Sequence, residues 1–139
     1  SNFACVMIRS NFISKAVEKI QTSKSKLKVG TVIDFPFGND STENKVNEAK
    51  EAISNGAYDI DFVCDYNSFK RGSFVKFDAD IVEGTKTCIE NKKITKWIIE
   101  TGALSKDEIR NITKRITKII QSKFPQYASK VFIKTSTGY

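Results

Sequence analysis

Val131-Phe132-Ile133-Lys134-Thr135-Ser136-Thr137-Gly138-Tyr139 reads as a short apolar strand that carries a lysine near its end and breaks into a small, hydroxyl-rich turn. Burying a lysine in a strand is costly unless something compensates, because the charged form loses its hydration. That cost is useful where the amine must be neutral and nucleophilic, as in Schiff-base catalysis. A lysine at a strand end can also lay its stem on apolar surface and keep its ammonium in water, with no chemical role. Taken alone, the stretch favours the plainer reading, so the rest of the chain decides.

Working backwards from that strand, Pro125 closes a loop, and Ser105 with Glu108 at capping-box spacing opens a helix striped by Ile109, Ile112, Ile116 and Ile119. Residues 94–100 read as a strand closed by Thr101-Gly102. Residues 75–91 read as a helix burying Ile81, Val82, Thr85, Cys88 and Ile89, and 66–73 as a polar loop. Residues 59–64 are the next strand. Asp40 and Glu43 have capping-box spacing, and Val46, Ala49 and Ile53 then form a helix face that stops at Asn55-Gly56. Residues 28–35 are rich in β-branched side chains and end at Pro36-Phe37-Gly38. Residues 21–26 form a loop, Ile13, Val17 and Ile20 mark one helix face, and 3–8 is a short apolar strand.

Five predicted strands thus alternate with four helices, and no hairpin signal joins two strands. Such alternation demands an α/β fold with a parallel sheet and helical crossovers. The near-continuous apolar strands agree. Periodicity does not separate an open doubly wound sheet from a (β/α)8 barrel, although the Gly-x-Gly-x-x-Gly turn of a dinucleotide-binding sheet is absent.

Composition narrows the chemistry. The 139 residues, 40% hydrophobic and 28% charged, suit one globular domain or part of one. Histidine is absent, which excludes Ser-His and Cys-His nucleophiles and removes the commonest zinc ligand. No catalytic metal and no cofactor are expected. Cys5, Cys64 and Cys88 are odd in number and lie in or near apolar runs, which reads as reduced thiols in a cytoplasmic protein. No apolar run approaches the ~20 residues of a membrane span. The net charge of +7 suits an anionic partner, but the lysines are spread along every predicted helix. Most of them therefore read as a solvated surface, with no nucleic acid and no membrane expected as a partner.

Side chains alternate across a strand, so Asp59, Asp61 and Val63 share one face, as do Lys96, Ile98 and Glu100, and Phe132 and Lys134. If those faces meet, Asp61, Lys96, Glu100 and Lys134 converge at the C-terminal ends of the strands. Asp61 then reads either as a proton relay or as a buried structural partner of Lys96 or Lys134. Lys96 and Glu100 read as a charge pair shaping the field around Lys134.

Four stretches, in order, carry a resemblance to one family: Gly30-Thr-Val-Ile-Asp-Phe-Pro-Phe-Gly38, Gly56-Ala-Tyr-Asp-Ile-Asp-Phe-Val63, Lys96-Trp-Ile-Ile-Glu-Thr-Gly-Ala-Leu104 and Lys134-Thr-Ser-Thr-Gly138. Together they resemble deoxyribose-phosphate aldolase, a metal-independent class I aldolase with a TIM (β/α)8 barrel. A full barrel takes roughly 200 residues or more. The resemblance therefore implies that residues 1–139 are one partial barrel domain, its strands two to six, from within a longer protein. It implies a lyase that reversibly cleaves 2-deoxy-D-ribose 5-phosphate to acetaldehyde and D-glyceraldehyde 3-phosphate, an activity of deoxyribonucleotide catabolism. It places the imine on Lys134, the proton relay on Asp61 and substrate contacts on Thr137 and Gly138. The family's second lysine and its phosphate-gripping turns would lie beyond Tyr139, so the segment alone is not expected to be a competent enzyme. Related barrels self-associate, so a homodimer or higher homo-oligomer is expected. Two other readings stand beside this one: another Schiff-base aldolase of the same fold, and a non-catalytic barrel segment serving as an interaction module.

Overall fold

Five apolar strands are too short and too evenly spaced by helices to pair as hairpins, and they pair in parallel instead. The computed structural model describes residues 3–139. Its elements run β1 (Cys5–Ile8), α1 (Ile13–Thr22), β2 (Lys28–Ile33), α2 (Thr42–Ser54), β3 (Asp59–Val63), α3 (Tyr66–Lys70), α4 (Phe74–Glu90), β4 (Ile94–Ile98), α5 (Lys106–Lys123) and β5 (Val131–Lys134), with short 3-10 turns before α1, α5 and β5. The strand order is β1-β2-β3-β4-β5 and every neighbouring pair is parallel. No strand order reversal occurs, so the sheet lacks the switch point of a doubly wound fold.

Register gives the two faces of the sheet opposite chemistry. Asp61 is level with Val32 and Lys96, Lys96 with Phe132, and Ile98 with Val63 and Lys134. These positions share one face with Met7 and Gly30, where a Cβ added at Gly30 would collide with the Met7 sulfur. The opposite face carries Thr31, Ile33, Ile60, Phe62, Thr95 and Trp97, all fully buried. There the helices pack. Phe62 stacks on Trp97 with centroids 4.6 Å apart, and Gly84 of α4 leaves no room for a Cβ against the Trp97 ring. Trp97 donates its indole N–H to Thr85 at 3.0 Å, so the largest buried side chain keeps its polar atom satisfied. Among the described residues no helix is long and apolar enough to cross a membrane.

Several local expectations change. The loop expected at 66–73 holds a short helix, α3, because Asp65 caps it through Ser68 and Phe69 turns into the core. The cap of α2 is Ser41, which accepts from the Asn44 amide, and not Asp40. The Ser105–Glu108 capping box of α5 forms as expected. On α2 the fully buried face is Lys45, Ala49 and Ala52, with Val46 and Ile53 only half-buried. On α4, Phe77, Asp80 and Gly84 are buried while Val82 and Ile89 are half-buried.

Candidate active site

Parallel strands bring their C-terminal ends to one edge of the sheet, and the charged side chains of β3, β4 and β5 meet just inside that edge. Asp61 is 1% exposed, and it lies between two lysines. Lys96 Nζ donates to Asp61 Oδ1 at 3.0 Å and to Asp59 Oδ2 at 2.7 Å. Lys134 Nζ donates to the other oxygen of Asp61, Oδ2, at 3.2 Å. Each lysine reaches Asp61 from one or two strands away because register sets Asp61 beside Lys96, and Lys134 one pleat further on.

The two lysines differ. Lys96 has two carboxylates and a side chain 23% exposed, whereas Lys134 has one and is 37% exposed. Burial works against the Lys96 ammonium, but hydrogen bonds and attraction from Asp59 and Asp61 outweigh it and hold its pKa above the ordinary lysine value. Lys96 is thereby the fixed charge of the cluster, and Lys134 the amine open to an incoming molecule.

Glu100 does not pair with Lys96. The strand ends at Ile98, and Glu100 sits at φ +54°, so the alternation that would carry its carboxylate inward stops two residues early. The carboxylate turns to the C-terminal turn instead. It accepts from the Ser136 hydroxyl and the Thr137 amide, each at 3.2 Å, and from the Thr137 hydroxyl. Together with the Thr101 amide, which donates to the Thr135 carbonyl at 2.8 Å, these bonds fix the segment that follows Lys134. Thr137 is thus engaged by Glu100, and Gly138 adopts φ +81°. Asp59 holds Lys96.

A second lysine–carboxylate cluster was not legible in the sequence. Lys45, 1% exposed, donates to Asp80 Oδ2 at 2.8 Å, the Gly38 carbonyl at 2.9 Å and the Val63 carbonyl at 3.1 Å, and lies 3.5 Å from Asp34. Lys76 joins it, 2.9 Å from Asp80 and 3.1 Å from Asp65. This cluster ties the turns after β2 and β3 to α2 and α4, and so supports the strand end that presents Asp61.

The chain is 40% identical over 138 residues to a deoxyribose-phosphate aldolase of Mycoplasmopsis pulmonis, covering 99% of this chain and 57% of that protein. Among solved structures it resembles a putative deoxyribose-phosphate aldolase from Coccidioides immitis, with a TM-score of 0.78 and 33% identity over 99% of this chain and 49% of that one. It equally resembles a structure described as QR15, an aldolase, with a TM-score of 0.78 and 30% identity over 99% of this chain and 55% of that one. No family model matches. Over nearly all of its length the chain is therefore similar in sequence and fold to part of such an aldolase, and it spans 57% of the Mycoplasmopsis pulmonis relative.

Proposed function

We propose that this chain supplies the imine-forming part of a deoxyribose-phosphate aldolase barrel, as strands two to six of the complete fold. The observation that carries the reading is the pairing of half-exposed Lys134 with a buried carboxylate, Asp61, whose second oxygen is occupied by Lys96. Its proposed reaction is the reversible cleavage of 2-deoxy-D-ribose 5-phosphate to acetaldehyde and D-glyceraldehyde 3-phosphate.

In this reading the free amine of Lys134 attacks the substrate aldehyde carbon and gives a carbinolamine. Asp61, within hydrogen-bond reach of that nitrogen, handles the proton as water leaves and the iminium forms. The C3 hydroxyl then gives its proton, through water, to the Asp61 carboxylate and the C2–C3 bond breaks. Its electron pair enters the iminium as an enamine, and glyceraldehyde 3-phosphate departs. Protonation of the enamine and hydrolysis release acetaldehyde and restore the amine. Lys96 keeps its charge throughout and holds Asp61 in place. Glu100 fixes the Thr135–Gly138 turn, from which Thr137 and Gly138 contact substrate.

The test is borohydride reduction of the full-length protein in the presence of deoxyribose 5-phosphate, followed by peptide mapping. A reduced adduct is expected on Lys134. An adduct confined to Lys96, or none in a preparation that turns over, rejects the assignment.

A further inference from the structure

Along the sequence the lysines look evenly spread, but the fold sorts them. The connections that enter the strands, residues 23–27, 55–58, 91–93 and 124–130, contain Lys24, Lys26, Lys92, Lys93 and Lys130 and not one carboxylate. Lys28 adds a sixth cation at the first residue of β2. At the opposite end, the turns leaving β2, β3 and β4 carry Asp34, Asp40, Asp65 and Glu100. With those six lysines set aside, the other 17 Lys and Arg nearly balance the 16 Asp and Glu. Six cations thus gather at the end of the sheet where the strands begin.

None of the six is in an ion pair among the described residues. Two of them flank an aromatic ring: Lys28 Nζ lies 5.0 Å and Lys93 Nζ 5.5 Å from the centre of Tyr58. Beside Tyr58 opens a groove of about 330 Å³, lined by Ile89, Ile94 and Tyr127 and by Lys92, Lys93 and Lys130. Tyr127 is 45% exposed, so its ring is available at the surface. Cations alone would suit any anion. A groove that mixes lysines with apolar side chains and an accessible ring suits a ligand that alternates phosphates with flat faces. A membrane surface would call for several large apolar side chains that project outward, and of the residues lining this groove Tyr127 alone is an exposed large hydrophobic.

We propose that this end of the molecule binds single-stranded nucleic acid, its phosphates held by the lysines and a base seated on Tyr127. The proposal is independent of the aldolase reading, because neither these lysines nor Tyr127 hydrogen-bonds or ion-pairs with Asp61, Lys96 or Lys134 among the described residues.

The experiment measures fluorescence anisotropy of a labelled mixed-sequence 20-nucleotide single-stranded RNA titrated with the full-length protein. Single strands give a slope of about −0.7 in log affinity per log salt for each phosphate neutralised, so about five contacts predict roughly a hundredfold loss between 50 and 200 mM KCl. The double variant Lys92→Glu/Lys93→Glu should weaken binding and make the slope shallower by about 1.4. Tyr127→Ala should weaken binding by about tenfold and leave the slope unchanged. Circular dichroism melting and deoxyribose 5-phosphate cleavage serve as controls that neither variant disturbs the fold. Absence of binding at 50 mM KCl, or binding that the double variant leaves intact, overturns the proposal. Tighter binding to phosphatidylserine vesicles than to RNA, with Tyr127→Ala binding RNA as well as the parent does, also overturns it and assigns the surface to membranes.

Discussion

Lys45 and Lys134 each face a buried aspartate, yet they belong to different kinds of cluster. Lys45 is sealed at 1% exposure, and an aspartate and two backbone carbonyls take up its donors. Lys134 has a single partner among the described residues and leaves 37% of its side chain open. A buried ammonium needs every proton satisfied, so a complete set of acceptors marks a lysine that holds structure. An incomplete set, on a lysine that still reaches a buried carboxylate, leaves the amine able to take on another partner. Both lysines stand near the C-terminal ends of the strands, and the completeness of their bonding tells them apart.

The sharpest way to break that contrast is Lys134→Met, which keeps the stem and removes the amine. Cleavage activity of the full-length protein should fall by about 10⁴-fold or more, the scale of losing a covalent nucleophile. Stability should change by less than about 1 kcal/mol, since a partly exposed ion pair contributes little and Asp61 keeps Lys96. Steady-state kinetics and urea unfolding read the two quantities. Retained activity would remove Lys134 from the chemistry.

This site could be read from sequence because strand alternation carries it. Asp61, Lys96 and Lys134 lie inside β3, β4 and β5, where a period of two fixes the face, and the structure joins them as the pattern implies. Glu100 could not be placed the same way, for alternation ends with the strand and its positive φ turns the carboxylate elsewhere. Lys45 was invisible for another reason. An apolar-periodicity reading assigns Val46, Ala49 and Ile53 to the inner face of α2, whereas a helix face centred on Lys45, Ala49 and Ala52 is the one buried. What permits that rotation is Asp80, 35 residues away, and no local pattern announces a partner at that distance. The sorting of lysines to one end is likewise a property of topology, since residues 28, 93 and 130 become neighbours only when parallel strands align their starts.

Lys45→Met tests the other half of the comparison and should act on stability first. Breaking a buried pair by removing one partner costs about 3–5 kcal/mol, because it strands the remaining charge. Here Lys76 stays beside Asp80 and should hold the loss to the lower end of that range. Adding Asp80→Asn to Lys45→Met should recover part of it, which a simple packing defect would not. Chemical denaturation of the three proteins gives the values. Equal losses in the single and double variants would show that packing, and not the stranded charge, sets the cost.

The smallest effect, and the one that compares the clusters under one variable, is pH. Lys96 in the site and Lys76 in the structural cluster both have pKa values raised above 10.5, burial opposing and carboxylate partners prevailing. A raised lysine stabilises fully below its unfolded pKa and loses that contribution as pH climbs through the folded one. Asp65 runs the other way. Burial opposes ionisation, but the Ser68 hydrogen bonds and Lys76 hold its pKa below 3.8, so its contribution is present above that value and fades as pH falls through the lower folded pKa. Asp34 and Glu48, whose pKa values burial raises, favour the fold only in acid and lose that contribution as pH rises through their folded pKa values, which makes the acid limb shallower. Thermal melts of the full-length protein should therefore show a plateau through neutrality, an alkaline decline above about pH 10.5 and an acid decline below about pH 4. Lys96→Gln and Lys76→Gln should each flatten the alkaline limb, and Asp65→Asn, which can still cap α3, should flatten the acid limb and, because Asp65 helps raise the Lys76 pKa, part of the alkaline one. If Lys96→Gln left the alkaline limb unchanged while Lys76→Gln abolished it, the charge on Lys96 would carry no folding free energy, and the site and structural clusters would differ more deeply than their bonding suggests.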